Sequence, residues 1–266
     1  MVLTPPRSLS PSALSAFTDC PLAFRFAYID RLPQPPTVAA SKGTLVHRAL
    51  ELLMTRAPQH RTIEHALFDL ETAQTELADD PNFTGLTLDE SAWEQFHNDA
   101  RRLVMQYFQL EDPTAIRPIG LELKLQATIG GTRVRGIIDR LELDTDGNLV
   151  ITDYKTGAVP RAQYEQAKLT GVQLYAMLCE RVFGARPARV QLLYLSQPAA
   201  IVAAPTDQRL RGVEAKTGAV WTAVERACSR DDFRPKPGKL CSWCAFRSMC
   251  PAMADTAAGL PTTSAS

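Results

Sequence analysis

The stretch from Gly136 to Gly157, GIIDRLELDTDGNLVITDYKTG, constrains this chain more than any other. It reads as two β-strands joined by a tight polar turn, because Asp144-Thr145-Asp146-Gly147-Asn148 tolerates the left-handed backbone that a hairpin needs. Strand side chains alternate faces, so Asp153 and Lys155 point the same way and share their face with Ile151. By the same rule Asp139 shares a face with Ile137, Leu141 and Leu143. Two carboxylates and an ammonium are thus expected on an inward, apolar face. Buried charges are costly unless they pair or coordinate a metal. The hairpin is therefore expected to bring Asp139 and Asp153 onto one ion. Ligation by carboxylate oxygens suits Mg²⁺ or Mn²⁺ rather than a soft metal. Lys155 beside it would orient or deprotonate a water, or stabilise charge developing on a phosphate. A surface hairpin with an ordinary ion pair is the competing reading of the same residues.

The motif residues resemble a known signature. Gly136-Ile137-Ile138-Asp139-Arg140 followed by Asp153-Tyr154-Lys155-Thr156-Gly157 is similar to the G-x-x-D-R and D-Y-K-T-G strands of the RecB-like branch of the PD-(D/E)XK nuclease superfamily. The resemblance implies an α/β fold with a restriction-endonuclease-like core, a mixed central sheet flanked by helices. It implies that Asp139 and Asp153 bind the divalent ion with the Tyr154 main-chain carbonyl, and that Lys155 works on the nucleophilic water.

With 266 residues, 45% hydrophobic and 22% charged, the chain has material for one sizeable α/β domain or a core with a helical insertion. No apolar run approaches the ~20 residues of a membrane span, and the N-terminus lacks a basic-then-apolar signal, so a cytoplasmic protein without a membrane partner is expected. The net charge of zero conceals an uneven distribution. Residues 61–112 carry three basic against twelve acidic side chains, whereas residues 1–60 carry six against three and residues 206–250 nine against five. The acidic segment is expected to face away from any phosphate backbone.

In chain order, Ser10 and Pro11 start a helix that runs on through Leu14, Phe17 and Cys20 toward Tyr28. After a Pro-rich link, Gly43–Glu51 reads as another helix. A lone helical histidine there is ordinarily structural, but Gly43 and His47 match the G-x-x-x-H helix of RecB-like nucleases, which implies His47 as a site residue near the metal. Residues 61–78 and 91–111 are amphipathic helical patterns, read as an insertion or lid over 57–115. From Ile119, apolar Leu121, Leu123, Leu125 and Ala127 alternate with Glu122, Lys124 and Gln126, and Gly130-Gly131 signals a hairpin. Alternation puts Glu122 on the polar face, off the face of Leu123, although related nucleases place a site glutamate at this point. Residues 161–183 read as a helix ending at Gly184. The resemblance implies a Q-x-x-x-Y helix here; Tyr175 fits it, but Gly171 stands four residues before and the glutamine is Gln173. Strands over 188–196 and 200–204 and a helix near 212–228 complete a catalytic sheet core set at 116–205.

Six cysteines in an intracellular chain read as thiols or metal ligands rather than disulfides. Cys179 and Cys228 are expected in the core. Cys241, Cys244 and Cys250 form C-x₂-C-x₅-C, a metal-centre spacing that lacks a fourth ligand, for which Cys20 is the candidate. Zinc and iron–sulfur both suit thiolates. The order of one cysteine before the core and three after it resembles the iron–sulfur subset of RecB-like nucleases, the AddB type and CRISPR-associated exonucleases. That resemblance implies a structural [4Fe–4S] cluster closing the loop 237–252 onto Cys20.

The expectation is thus a single nuclease domain over residues 1–255 with a disordered tail at 256–266. It would be a metal-dependent DNA exonuclease acting on single strands or ends in repair or recombination. Absence of G-x-x-x-x-G-K-[ST] means that unwinding would come from a helicase, CRISPR or recombination partner. A non-catalytic scaffold subunit of a helicase–nuclease complex and an unrelated zinc-stapled protein are the alternatives.

Overall fold

The structure, a computed structural model, describes residues 2–253; the tail expected at 256–266 lies outside the described residues. Ser10 caps α1 (Pro11–Asp19) by accepting the Ala13 N–H at 3.1 Å, with Pro11 at the first helical position. The chain continues through α2 (Pro21–Phe24) and a π-helical turn at Arg25–Ile29. Thr37 then caps α3 (Val38–Thr55). The acidic segment forms α4 (Ile63–Glu76), α5 (Pro81–Thr84) and α6 (Glu90–Tyr107), capped by Thr62, Asp80 and Asp89. Strands β1 (Arg117–Ile129), β2 (Thr132–Leu143) and β3 (Leu149–Lys155) follow, then α7 (Ala162–Phe183), β4 (Arg189–Tyr194), β5 (Ala199–Ala203) and α8 (Asp207–Arg230). Helix α7 stops at Gly184, whose φ of +69° makes a left-handed cap. Helix α8 begins earlier than its apolar pattern suggests, because the Thr206 side chain caps it and buried Leu210 anchors its first turn.

The five strands lie in sequence order in one mixed sheet, antiparallel except for the β3–β4 pair, which α7 connects. Each face carries its own core. Ile151, Val190 and Leu192 pack with Val172, Leu174 and Leu178 of α7 on one face. Tyr154, Leu193 and Leu195 pack on the other with Leu45, Leu50, Phe96 and Tyr107 of α3 and α6. The helices of 57–115 are thus the layer that closes the second face. Leu9, Phe24, Val224 and Phe233 form a third cluster, which joins the N-terminal helices to the end of α8. Among the described residues no helix is long and apolar enough to cross a membrane.

The structure corrects the face expected for Asp139. Ile137 is 44% exposed, while Val134 and Ile138 are fully buried on the opposite side of β2. Ile138 and Leu141, three residues apart, share one cluster, so the strand changes phase across Asp139-Arg140. β1 does the same: Leu123 and Leu125 pack on the α7 face and Leu121 on the α3 face. Strict alternation fails at this bend, and the site sits there.

Candidate active site

Strands β2 and β3 pair only from Leu143↔Leu149 to Arg140↔Thr152. Beyond that point β3 keeps to β4, as far as Lys155↔Tyr194, while β2 stays with β1 and takes the Leu9 main chain on its other edge at Arg133–Arg135. The sheet forks. Asp139 stands in the fork and its Oδ2 accepts the Tyr154 N–H at 2.7 Å, so a side-chain carboxylate replaces the next rung of the ladder. Asp153 is 6% exposed, and the Lys155 ammonium lies against its Oδ2; no other described group donates to that buried oxygen.

His47 enters from α3, which buried Leu45, Val46, Ala49 and Leu50 hold against the sheet. Its Nε2 is 3.1 Å from the Tyr154 carbonyl oxygen and its Nδ1 is 3.4 Å from Asp139 Oδ2. Gly43 permits this approach, because a Cβ there would lie 3.3 Å from Thr156 Oγ1. Glu122 completes the group, and one ligand atom each from His47, Glu122 and Asp139 lie within 4.8 Å of one another. The expectation that Glu122 faces away from the site is corrected. It does leave the Leu123 face, but the acidic cluster is on its own side. Its φ of +43°, in the left-handed region, marks the bend that aims it there.

The electrostatics are those of a cation site. Burial, then the neighbouring Asp139 carboxylate, pushes Glu122 up to about 7. Burial, then Asp153, pushes Asp139 up to about 7 against the opposing Tyr154 N–H. Burial also holds the His47 imidazole below its ordinary value. Burial alone would lower Lys155, but the adjacent Asp153 carboxylate outweighs it and keeps the ammonium above its usual range. A divalent cation held among these carboxylates would relieve their crowding. The hard oxygen and imidazole donors fit Mg²⁺ or Mn²⁺.

Tyr175 reaches the cluster from α7. Its ring occupies the space above Gly136, where a Cβ would lie 2.6 Å from its Cε1. Burial and then the charges of Asp153, Asp139 and Glu122 raise its hydroxyl well above the ordinary value. Gln173 does not join them. It is 2% exposed and lines a groove with Thr206, Arg209 and Lys216 of the α8 side; its Nε2 has no partner among the described residues. Two residues along a helix turn a side chain away from Tyr175, and the structure contains no local shift to compensate.

Two groups supporting the site are missing from the sequence reading. Arg140, fully buried, binds Tyr154 Oη at 2.7 Å, both Glu111 oxygens at 2.8 Å and Glu142 at 2.5 Å. It therefore anchors the Tyr154 ring behind the fork. An arginine beside Asp139 in a strand with buried neighbours was the available signal; Glu111 and Tyr107, its partners from the helical layer, gave none. Tyr194, buried and paired in register with Lys155, lies in the field of Lys155 and Asp153.

Far along the chain, Cys20, Cys241, Cys244 and Cys250 line one cavity of about 470 Å³ with Phe26 and Trp243. All four are free thiols. Cys20 Sγ lies 3.5 Å from the Lys236 N–H and Cys241 Sγ 3.3 Å from the Gly238 N–H. No three of these sulfurs come within 4.8 Å of one another. Cys179 and Cys228 are buried in the first and third clusters, as expected.

The sequence profile of the PD-(D/E)XK nuclease superfamily matches residues 8–251. The Gene 69 protein of Mycobacterium phage D29 is 26% identical over 278 residues, spanning 91% of this chain and 96% of its own length. Among solved structures, a candidate exonuclease from Eubacterium rectale is similar in fold, with a TM-score of 0.51 at 10% identity, covering 98% of this chain and 91% of that one.

Proposed function

The chain belongs to the PD-(D/E)XK nuclease superfamily, and from that premise we propose that it is a divalent-metal-dependent deoxyribonuclease. Its mode is that of an exonuclease on single-stranded DNA or DNA ends, serving repair or recombination. The observation that carries the reading is the fork. There Glu122, Asp139 and His47 converge within 4.8 Å beside the buried Asp153–Lys155 pair. Asp139, Asp153, Glu122, His47 and the Tyr154 carbonyl would hold Mg²⁺ or Mn²⁺. When bound, the cation polarises the phosphodiester and offsets charge as the P–O bond breaks. Lys155, kept protonated by Asp153, is a cation and donor: it orients the attacking water and stabilises charge on the phosphate rather than removing a proton. The Tyr175 hydroxyl, protonated at neutral pH, donates to the same charge. His47 and the Tyr154 N–H fix the geometry of Asp139.

The test is cleavage of a single-stranded oligonucleotide with Mn²⁺ by Asp153→Ala and Lys155→Ala. Each is expected to lose at least about 100-fold in kcat; undiminished cleavage by both overturns the reading. One observation favours a second reading, a non-catalytic DNA-binding scaffold subunit of a helicase–nuclease complex: Gln173 lies away from the acidic cluster. Wild-type binding of DNA with no cleavage in Mg²⁺ or Mn²⁺ would select it. The proposed partner, a helicase or a CRISPR or recombination protein, would supply unwinding.

The four cysteines are proposed to hold a structural [4Fe–4S] cluster. A tetrahedral zinc site brings its sulfurs to about 3.8 Å of one another, and no three of these thiols lie within 4.8 Å of one another around the cavity. Anaerobic preparation is expected to give a brown protein with about four irons per chain; a colourless preparation with one zinc supports the zinc alternative.

A further inference from the structure

The β1–β2 hairpin projects past the acidic cluster with one face packed and one face bare. Leu123, Leu125, Ala127, Val134 and Ile138 pack toward α7 and α8. On the other face Lys124, Gln126, Thr128, Arg133, Arg135 and Ile137 are all exposed. These six are cross-strand partners: Lys124↔Ile137, Gln126↔Arg135 and Thr128↔Arg133. The next pair in the register toward the fork is Glu122 and Asp139, which lie opposite each other between Leu121↔Arg140 and Leu123↔Ile138. Three exposed rungs, polar except for Ile137, therefore lead directly from the acidic site.

The charge on these rungs is one-sided and uncommitted. Lys124, Arg133 and Arg135 make no side-chain hydrogen bond or ion pair with any described residue, whereas Arg48, Arg56, Arg140 and Arg186 are each bound to carboxylates. Like charges set close together on one bare face repel each other and are stabilised by an anion that spans them. Same-face side chains on a strand are about 6.8 Å apart, comparable to the spacing of successive phosphates in an extended strand. The face is a narrow ribbon made of β1 and β2, with the Leu9 main chain bonded along the β2 edge at Arg133 and Arg135. Ile137, 44% exposed beside Asp139, offers an apolar contact for an unstacked base.

We propose that the bare face of the β1–β2 hairpin is a track for the sugar–phosphate backbone of a single nucleic-acid strand, with Lys124, Arg133 and Arg135 on its phosphates and its end delivered to the acidic cluster. The proposal rests on the nuclease reading above and adds the surface and strandedness of the substrate.

The test measures binding apart from cleavage. The full chain, in Ca²⁺, is titrated into a labelled oligothymidylate by fluorescence anisotropy over a series of salt concentrations. The triple variant K124A/R133A/R135A is expected to raise Kd at least about tenfold at low salt and to lower the slope of log K against log salt by about 2, three contacts at ~0.7 each for a single strand. A control pair, R209A/K216A, removes two cations on the α7–α8 groove and is expected to change neither. With Mn²⁺, the triple variant is expected to hydrolyse a p-nitrophenyl ester of thymidine monophosphate as the wild type does, since that substrate does not reach the track. An unchanged Kd and slope in the triple variant, an equal loss in the control, or a loss confined to duplex DNA would each overturn the proposal. A wild-type chain that binds the strand through these residues yet hydrolyses neither substrate ends the catalytic reading and leaves the track standing.

Discussion

Glu122 and Asp139 each hold a proton at a pH where an ordinary carboxyl has lost it, because both are buried and each faces another carboxylate. Their folded-state values of about 7 lie above the ~4 of an unfolded chain. The native state therefore binds more protons than the unfolded state between about pH 4 and 7. The metal-free protein is expected to lose stability as pH rises through that window. A bound cation must displace those protons, so excess Mn²⁺ should raise Tm more at pH 8 than at pH 6. Differential scanning fluorimetry with and without Mn²⁺ across this range checks it, and an increment independent of pH would remove these carboxyls from the ligand set. Arg140 behaves differently. Fully buried, it neutralises Glu142 and Glu111, so Arg140→Met should cost about 3–5 kcal/mol by leaving buried charge unpaired. Lysine in its place cannot serve the same partners with one ammonium. Urea denaturation of both variants measures this, and a loss below about 1 kcal/mol would show the network to be dispensable.

At the scale of elements, the hairpin and α7 meet at a single tight contact. The Tyr175 ring lies where a Gly136 side chain would be, with Leu178 also 3.0 Å from that point. Gly136→Ala is expected to cost about 1–3 kcal/mol through overpacking and to push Tyr175 from the cluster. Its effect on cleavage should then overlap that of Tyr175→Ala, with the double variant no worse than the poorer single one; additive losses in a double-mutant cycle would disprove the coupling. The elements themselves were largely legible. Capping residues and the Asp144–Asn148 and Gly130-Gly131 turns fixed the helices and hairpins, and the motif strands placed Asp139, Asp153 and Lys155. What escaped was phase. Period-two alternation assumes a regular strand, and β1 and β2 change face at Glu122 and Asp139-Arg140. Nothing local in Leu121-Glu122-Leu123 announces a left-handed glutamate. Gln173, out of register with Tyr175 already in the sequence, stays on the α8 side because helix α7 is regular.

At the scale of the molecule, the two ends of the described chain are drawn together. Leu9, Ala13 and Phe24 pack with Val224, Cys228 and Phe233, and the Leu3 N–H donates to the Cys228 carbonyl at 3.1 Å. A metal group bridging Cys20 to Cys241, Cys244 and Cys250 closes a loop of most of the chain, which in the chain-entropy estimate for cross-links is worth roughly 5 kcal/mol. Cys250→Ser, or chelation, is expected to lower the denaturation midpoint and to speed proteolysis between residues 231 and 253. Indifference of both to the metal would show that the cysteines do not clip the fold. The closure has a mechanical consequence as well. Tension applied at residues 3 and 250 reaches first the third cluster and the Leu9 main-chain bonds to Arg133 and Arg135 of β2. These contacts are few, so the first rupture in a pulling experiment should come at low force and release short terminal lengths. The nuclease core should yield only in a later, separate event.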